Sequence, residues 1–297
     1  MMVKPLISFI SFNRNSAVAA NLKALLDITN DDFDLSIVDN GSTDGIWEYI
    51  KFLKDDRIKF KKHFDKNYGG IYAVNYSLSK REKYQPFIHL DNDTLITDPD
   101  WIKKFQNTAL IFNDLGLIGA VTKDYFNNYL NSFPQTTLNN STCVYTNFVI
   151  GSCLYMTPEI LELLGYFNEE SCGADLEISR RINQFTKYKT GITMDFFNDY
   201  RSEVSCSECI SKATCPFDKS IDSECCTVNY RKVYPNASFI PLAIKQTEEY
   251  INNISLGNIP LYSASIHDEE SRKNHPYNYI SAKKNFDFFS GFSNVDN

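Results

Sequence analysis

The sequence predicts an α/β protein: a mixed, mainly parallel, doubly wound sheet flanked by helices. Three observations carry that expectation. Short apolar runs alternate with amphipathic stretches in the order β-α-β-α-β-α-β up to residue 91, the alternation of parallel sheets with crossover helices. The early strands run into loops rich in turn formers, such as Asp39-Asn40-Gly41-Ser42-Thr43-Asp44-Gly45. The apolar run Phe87-Ile88-His89-Leu90 then passes directly into Asp91-Asn92-Asp93. This puts two carboxylates one residue apart at a strand's carboxyl end, where open α/β sheets bind ligands.

Taken in order, Leu6 to Phe12 reads as a strand. A helical stripe of Ala17, Val18, Leu22, Leu25 and Leu26 follows. Phe33 to Val38 is a second strand, Ile46 to Leu53 a short helix, Ile58 to Phe60 a third strand and Ile71 to Ser79 a helix. Asp98-Pro99-Asp100 opens a helix over Trp101 to Phe112. Leu117 to Thr122 is a strand, and residues 123–142 are polar and aromatic, read as an irregular loop near an acceptor. Phe148 to Met156 reads as a strand. Thr157-Pro158-Glu159 starts a helix that ends at Gly165, and Asp175 to Phe185 form another. Residues 186–257 have little periodicity and read as a cysteine-rich insertion between a core of 1–185 and a closing segment of 258–297. In that last segment Ile259 to Ile266 reads as a strand ending at His267, and Tyr277 to Phe289 as a helix with aromatic faces.

A chain of 297 residues with 43% hydrophobic and 23% charged residues has the composition of a globular protein. Its net charge of -7 argues against a broad nucleic-acid-binding surface. Leu6 to Ile10 is too short for the apolar core of a signal peptide, and no apolar run approaches the roughly 20 residues of a membrane span. The expected location is cytoplasmic.

Asp91 and Asp93 are hard oxygen ligands suited to Mn2+ or Mg2+ carrying a diphosphate; an ordinary polar turn has the same composition. Of the eight cysteines, Cys206, Cys209, Cys215, Cys225 and Cys226 fall within twenty-one positions. In a reducing compartment that cluster points to a structural Zn2+ held by four thiolates. An iron–sulfur cluster or unliganded thiols remain as alternatives.

Several segments in order resemble family 2 glycosyltransferases, the inverting enzymes of the GT-A fold. Ser11-Phe12-Asn13-Arg14 is similar to the family's first strand end, and Val38 to Gly45 to its nucleotide loop. Asn67-x-Gly69 with Ala73 and Asn75 resembles the next loop and helix, and Asp91-x-Asp93 the metal motif. Gly165-Tyr166-Phe167-Asn168-Glu169 and Gly173-Ala174-Asp175-Leu176-Glu177-Ile178-Ser179-Arg180-Arg181 resemble the stretches before and around the catalytic acid. Ala264-Ser265-Ile266-His267 is similar to a late strand with a histidine ligand. The chain departs from the pattern in having Ala174-Asp175 where an acidic pair is common, and a far longer link between Arg181 and Asn258.

The resemblance implies metal-dependent, inverting transfer of one sugar, hexosyl in type, from a UDP- or dTDP-type donor to a hydroxyl on a saccharide, lipid-linked or protein acceptor. It implies a donor site of Ser11, Asn13, Arg14, Asp39, Asn40, Asn67, Gly69 and Asp91. The metal ligands it implies are Asp91, Asp93 and His267, with His275 and Asp199 as competitors for the histidine's place. Asp175 is the implied general base, with Glu177 as fallback. The C-terminal aromatic helix either packs on the core or touches a membrane peripherally. The rival functions are a non-catalytic sugar- or nucleotide-binding protein of the same fold and a sugar nucleotidyltransferase. The latter would want a glycine-rich basic loop where Phe12-Asn13-Arg14-Asn15 stands.

Overall fold

A computed structural model describes residues 3–171, 173–200 and 236–292. The strands are β1 (Leu6–Ser11), β2 (Asp34–Asp39), β3 (Ile58–His63), β4 (Phe87–Asp91), β5 (Thr94–Leu95), β6 (Leu115–Gly119), β7 (Gln135–Leu138), β8 (Ser141–Thr146), β9 (Cys153–Met156), β10 (Lys189–Thr193) and β11 (Asp199–Tyr200). Nine form one sheet in the order β3-β2-β1-β4-β9-β6-β10-β8-β7, and β5 pairs with β11. The β3-β2-β1-β4 half is parallel, β6 and β10 are parallel to each other, and β9, β8 and β7 run antiparallel to their neighbours. Strand order reverses at β1, which opens a crevice at the carboxyl ends of β1, β2 and β4.

The helices are α1 (Asn15–Ile28), α2 (Ile46–Phe52), α3 (Gly70–Leu78), α4 (Trp101–Ile111), α5 (Lys123–Tyr125, continued by a π-helical turn over Phe126–Leu130), α6 (Pro158–Leu164), α7 (Ala174–Phe185), α8 (Asn236–Ser255), α9 (Glu269–Asn274) and α10 (Tyr279–Phe292). They cover both faces because β1, β2 and β6 are buried at every position, as strands with no solvated face must be. One core packs α1, α2 and α4 on the sheet through Val18, Leu22, Ile50, Trp101 and Phe105. The other packs α3, α6 and α7 through Ala73, Val74, Leu161, Ile178 and Ile182.

The second half of the chain departs from expectation in four places. Residues 123–142 are partly ordered: β7 and β8 form a hairpin whose Asn139 and Asn140 both have positive φ (46° and 64°), the signature of a type I′ turn. The strand expected over Phe148 to Met156 is confined to Cys153–Met156. The segment expected as an insertion contributes β10 to the central sheet, and α8 stands against α7, with Ala243 beside Gly173. The cysteine cluster at Cys206, Cys209, Cys215, Cys225 and Cys226 lies outside the described residues.

The fourth departure is the strand expected over Ile259 to Ile266. That segment is irregular and makes one bridge, Gly165 to Ser263. Ser263 N–H donates to the Leu164 carbonyl (2.9 Å) and Tyr166 N–H to the Ser263 carbonyl (3.0 Å). Gly165 has φ +70°, and a Cβ there would meet the Ser263 carbonyl oxygen at 2.6 Å, so only glycine allows this crossing. Among the described residues no helix is long and apolar enough to cross a membrane.

Candidate active site

The register of the parallel strands sets the first part of the site. Ser11 pairs with Asp39, Asp39 with His63, and Ile10 with Asp91. Asp39 and Asp91 therefore flank β1 at one edge of the sheet, two strand spacings or roughly 10 Å apart.

The loops after β1 and β2 are knitted together. Asn13 N–H donates to Ser42 Oγ (2.8 Å), Thr43 N–H to Asn13 Oδ1 (2.9 Å) and Asn15 N–H to Asp44 Oδ2 (2.7 Å). Asn13 and Arg14 both have left-handed backbone, φ 51° and 62°, a strained conformation outside glycine. It directs Arg14 Nη1 to Asp93 Oδ2 at 2.9 Å. Ser11 Oγ is buried and has no hydrogen-bond partner among the described residues.

Asp39 is fully buried. Its Oδ1 accepts from the Ser42 hydroxyl, and its Oδ2 from Ser42 N–H (3.3 Å) and from His63 Nδ1 (2.6 Å). The half-exposed His63 ring stacks on Trp47 with centroids 5.0 Å apart. Asn40 is committed at both ends: Nδ2 donates to Asn67 Oδ1 (2.8 Å), and Oδ1 accepts from Tyr68 N–H (3.0 Å). Asn67 Oδ1 also accepts from Gly69 N–H (2.8 Å). The expected ligand-reading residues Asn40, Asn67 and Gly69 thus pair with one another to join two loops. Gly41 makes the junction possible, since a Cβ there would lie 2.3 Å from the Lys66 carbonyl carbon.

Asp91 and Asp93 stand at the open end of β4, with side chains 47% and 18% exposed. His89, two residues back and on the same side of the strand, donates from Nε2 to Asp91 Oδ1 (3.0 Å). Neither His63 nor His89 was singled out from the sequence. The i, i+2 spacing could have flagged His89, while His63 needs the β2–β3 register.

Asp175 lies in the first turn of α7, half-buried. Its Oδ2 accepts from Gly151 N–H (3.2 Å) and its Oδ1 from Leu176 N–H (2.9 Å). Burial pushes its carboxyl up; the two N–H bonds oppose that, and the charge of Asp91 adds to it. The next residue, Ser152, accepts through its carbonyl from Asp91 N–H (2.9 Å) and from the Thr94 hydroxyl (3.0 Å). Gly151-Ser152 is therefore a two-residue bridge between Asp175 and Asp91.

Glu177, the fallback base, is not in the cleft. It is fully buried in an ion pair with the equally buried Arg181, whose guanidinium also donates to the carbonyls of Leu164 and Tyr166 (both 2.8 Å). A carboxylate with no exposed surface and a fixed cationic partner has no access to an acceptor hydroxyl.

Among the described residues no three His, Cys, Asp or Glu side chains gather into a metal-binding group. Asp91 and Asp93 fit a hard divalent cation that keeps water and phosphate oxygens as its other ligands. His267 does not fit: its Nε2 donates to the Tyr72 carbonyl (3.0 Å), and its ring sits against Tyr72, Tyr76 and Phe64 at 4.2, 5.4 and 6.2 Å. His275 is stacked on Tyr262 (4.1 Å). Asp199, exposed and paired with Leu95, lies beside the strand that follows Asp93.

The sequence matches the family model described as glycosyl transferase family 2 over residues 7–165, more than half of the chain. No curated protein matches it. Among solved structures, a mannosyltransferase from Pyrobaculum calidifontis, PcManGT, in complex with GDP-Man and Mn2+, superposes with a TM-score of 0.51 at 16% identity, over 64% of this chain and 54% of that one. S. aureus TarS 1–349 in complex with UDP-GlcNAc matches with a TM-score of 0.48 at 14% identity, over 68% of this chain and 62% of that one. The chain thus spans between about half and three fifths of the length of these two. The mannosyltransferase match supports the fold, a mixed and mostly parallel sheet flanked by helices, which is the GT-A arrangement expected from the sequence. With the family model matched across the half that carries Asp39, Asp91 and Asp93, the chain belongs to glycosyl transferase family 2.

Proposed function

We propose that this protein transfers one sugar from a nucleotide diphosphate sugar to an acceptor hydroxyl with inversion, using Asp175 as general base. The observation that carries the reading is the bridge Asp175–Gly151–Ser152–Asp91, which holds a half-buried carboxylate beside an exposed one at the sheet's ligand-binding edge.

Asp175 takes the proton of the acceptor hydroxyl as its oxygen bonds to the anomeric carbon. The bond from that carbon to the diphosphate oxygen breaks, and the nucleoside diphosphate leaves from the opposite face. Burial raises the affinity of Asp175 for that proton, and the N–H bonds from Gly151 and Leu176 hold the carboxylate in place. Asp91 and Asp93 would hold Mn2+ or Mg2+, which neutralises charge on a departing diphosphate. Arg14 fixes Asp93 and presents a cation at the same edge. Asp39 reads a pyrimidine base of the UDP or dTDP type if the N3–H replaces the Ser42 hydroxyl on its carboxylate. Asn40, Asn67 and Gly69 act by fixing the loop, and His63 and His89 by orienting Asp39 and Asp91.

The test joins binding to turnover. UDP-, dTDP- and GDP-sugars are screened by thermal shift with and without Mn2+, since a ligand of the native state raises Tm. Transfer or donor hydrolysis is then compared for the wild type and Asp175→Asn. The expected result is a loss of roughly 100-fold or more in turnover with the donor-induced shift retained. Turnover kept in Asp175→Asn, or no nucleotide sugar bound, overturns the reading.

A further inference from the structure

α8, residues 259–264 and 276–278 and the start of α10 border a cleft of about 900 Å3, whose lining includes none of Asp39, Asp91, Asp93 and Asp175. That is within the usual range of ligand pockets, about 300–1,000 Å3. We propose that this cleft is a second binding site and that its ligand is a neutral saccharide. Choosing a saccharide leans on the glycosyltransferase reading; the existence of the cleft does not.

The cleft is braced by hydrogen bonds to Glu169 and Glu170. Tyr277 Oη donates to Glu169 (2.6 Å), Asn278 N–H donates to Glu170 (3.0 Å), and Asn285 Nδ2 donates to the Glu169 carbonyl (3.0 Å). Glu169 is itself 2% exposed and also accepts from Asn75 (2.9 Å) and Ser265 (2.6 Å). The walls are thus tied to the core before any ligand arrives, the condition for binding without a large ordering cost.

The lining selects the ligand class. Tyr250, Tyr262, Tyr277 and Tyr279 all contribute to it; Tyr250 is buried, one face of Tyr262 lies on His275 and the Tyr277 hydroxyl is given to Glu169, which leaves Tyr279, 53% exposed, as the ring most open to a ligand. A tyrosine offers an apolar face and a polar edge, which matches the C–H face and hydroxyl rim of a pyranose. Asn253 Oδ1 accepts from Asn258, and Asn278 Oδ1 accepts from Ser281 N–H. The Nδ2 groups of both asparagines have no partner among the described residues, so each offers donors to a hydroxyl-rich ligand. The charge gives an anion no advantage: Glu170 and Glu249 on the lining are balanced by Lys284 and by Lys245, 3.9 Å from Glu249, so a nucleotide, a phosphate or an acidic sugar meets no cationic surplus.

The experiment is saturation-transfer NMR titration of the full chain with maltotriose, cellotriose, chitotriose and mannotriose, with sialyllactose as the acidic control. The expected result is that at least one neutral trisaccharide binds, is not displaced by UDP or GDP, and binds about fivefold more weakly to Tyr279→Ala. Asn253→Ala is the second variant, also expected to weaken binding, and both variants should leave any nucleotide-induced thermal shift unchanged. No neutral trisaccharide bound up to about 10 mM, displacement by nucleotide, preference for sialyllactose, or unchanged affinity in both variants overturns the proposal. Nucleotide binding without saccharide binding removes the cleft and leaves the transferase reading standing. Saccharide binding in a protein that binds no nucleotide sugar does the reverse.

Discussion

His267 should make the stability of this protein depend on pH in a window where most side chains do not titrate. Its ring is enclosed by Tyr72, Tyr76 and Phe64 and donates from Nε2 to the Tyr72 carbonyl. Burial pushes its pKa from 6.5 down to about 4. Lys80, Lys62 and Arg272 push it the same way, against the bond to Tyr72. The unfolded chain therefore takes up a proton near pH 6.5 and the folded chain only near pH 4. Between those values the unfolded state binds more protons, so stability rises with pH and is lost as pH falls. A drop from 6.5 to about 4 corresponds to about 3 kcal/mol at 1.36 kcal/mol per tenfold change. Against the 5–15 kcal/mol typical of folded domains, roughly, that is a large share.

The perturbation is His267→Gln, whose amide can still donate to Tyr72 but does not titrate. Urea unfolding of both proteins at several pH values between about 7 and 4 isolates the histidine, because carboxylate contributions cancel in the difference. The wild type should lose about 3 kcal/mol more than the variant across that window. Equal slopes would refute the burial argument. Mn2+ affinity should be the same in both proteins; its loss in His267→Gln would show that the ring leaves its aromatic enclosure to bind metal.

Asp93→Ala should remove most transfer activity and leave the fold intact, because the residue stands at an open strand end; undiminished activity in this variant and in EDTA would exclude metal dependence. Glu177→Gln should destabilise by about 3–5 kcal/mol, the scale for leaving a buried charge unpaired. At about 2–4 °C per kcal/mol its Tm should fall by roughly 6–20 °C, and a near-normal Tm with lost turnover would instead make Glu177 a chemical residue. For the cysteine cluster, Cys206, Cys209, Cys215 and one of Cys225 or Cys226 should hold one zinc ion. Elemental analysis of protein purified without chelator checks it, and five freely alkylated thiols with no metal would count against it.

The parallel half of the sheet was legible because burial on both faces leaves mostly apolar runs, and because each strand must hand over to a polar loop at the ligand edge. Leu35-Ser36-Ile37-Val38-Asp39 and Phe87-Ile88-His89-Leu90-Asp91 both show it. The rest depended on contacts between segments far apart in sequence. Ile259-Pro260-Leu261-Tyr262 has a strand's apolar content, but proline brings no N–H for a ladder, and the segment crosses Gly165 with a single bridge. Asn139-Asn140 carries a hairpin turn without the glycine that usually signals one. Asn40 and Asn67 read as ligand-facing because both lie in loops of the family's pattern. Their pairing is a side-chain bond between residues 27 positions apart, which no local rule reveals.

The two carboxylates of the proposed chemistry are not positioned independently. Asp91 is fixed through its own N–H to the Ser152 carbonyl, and Asp175 through its side chain to the Gly151 N–H. The distance between them is thus set by the turn that feeds β9, not by α7 alone. That turn is held in place by β9 itself, which pairs antiparallel with β4 on one side and β6 on the other. A substitution that shifts β9 would move the turn that reaches both carboxylates, while β1 holds Asp91 from its other side. One confined to Gly151 or Ser152 would change the spacing while leaving the sheet intact. Mutational losses of activity in this turn therefore report on the geometry between proton acceptor and leaving-group site, even though neither residue supplies a reacting group. The use of an antiparallel strand at this point follows from the same need: its entry loop arrives at the carboxyl end of β4, where a parallel strand would have brought its exit.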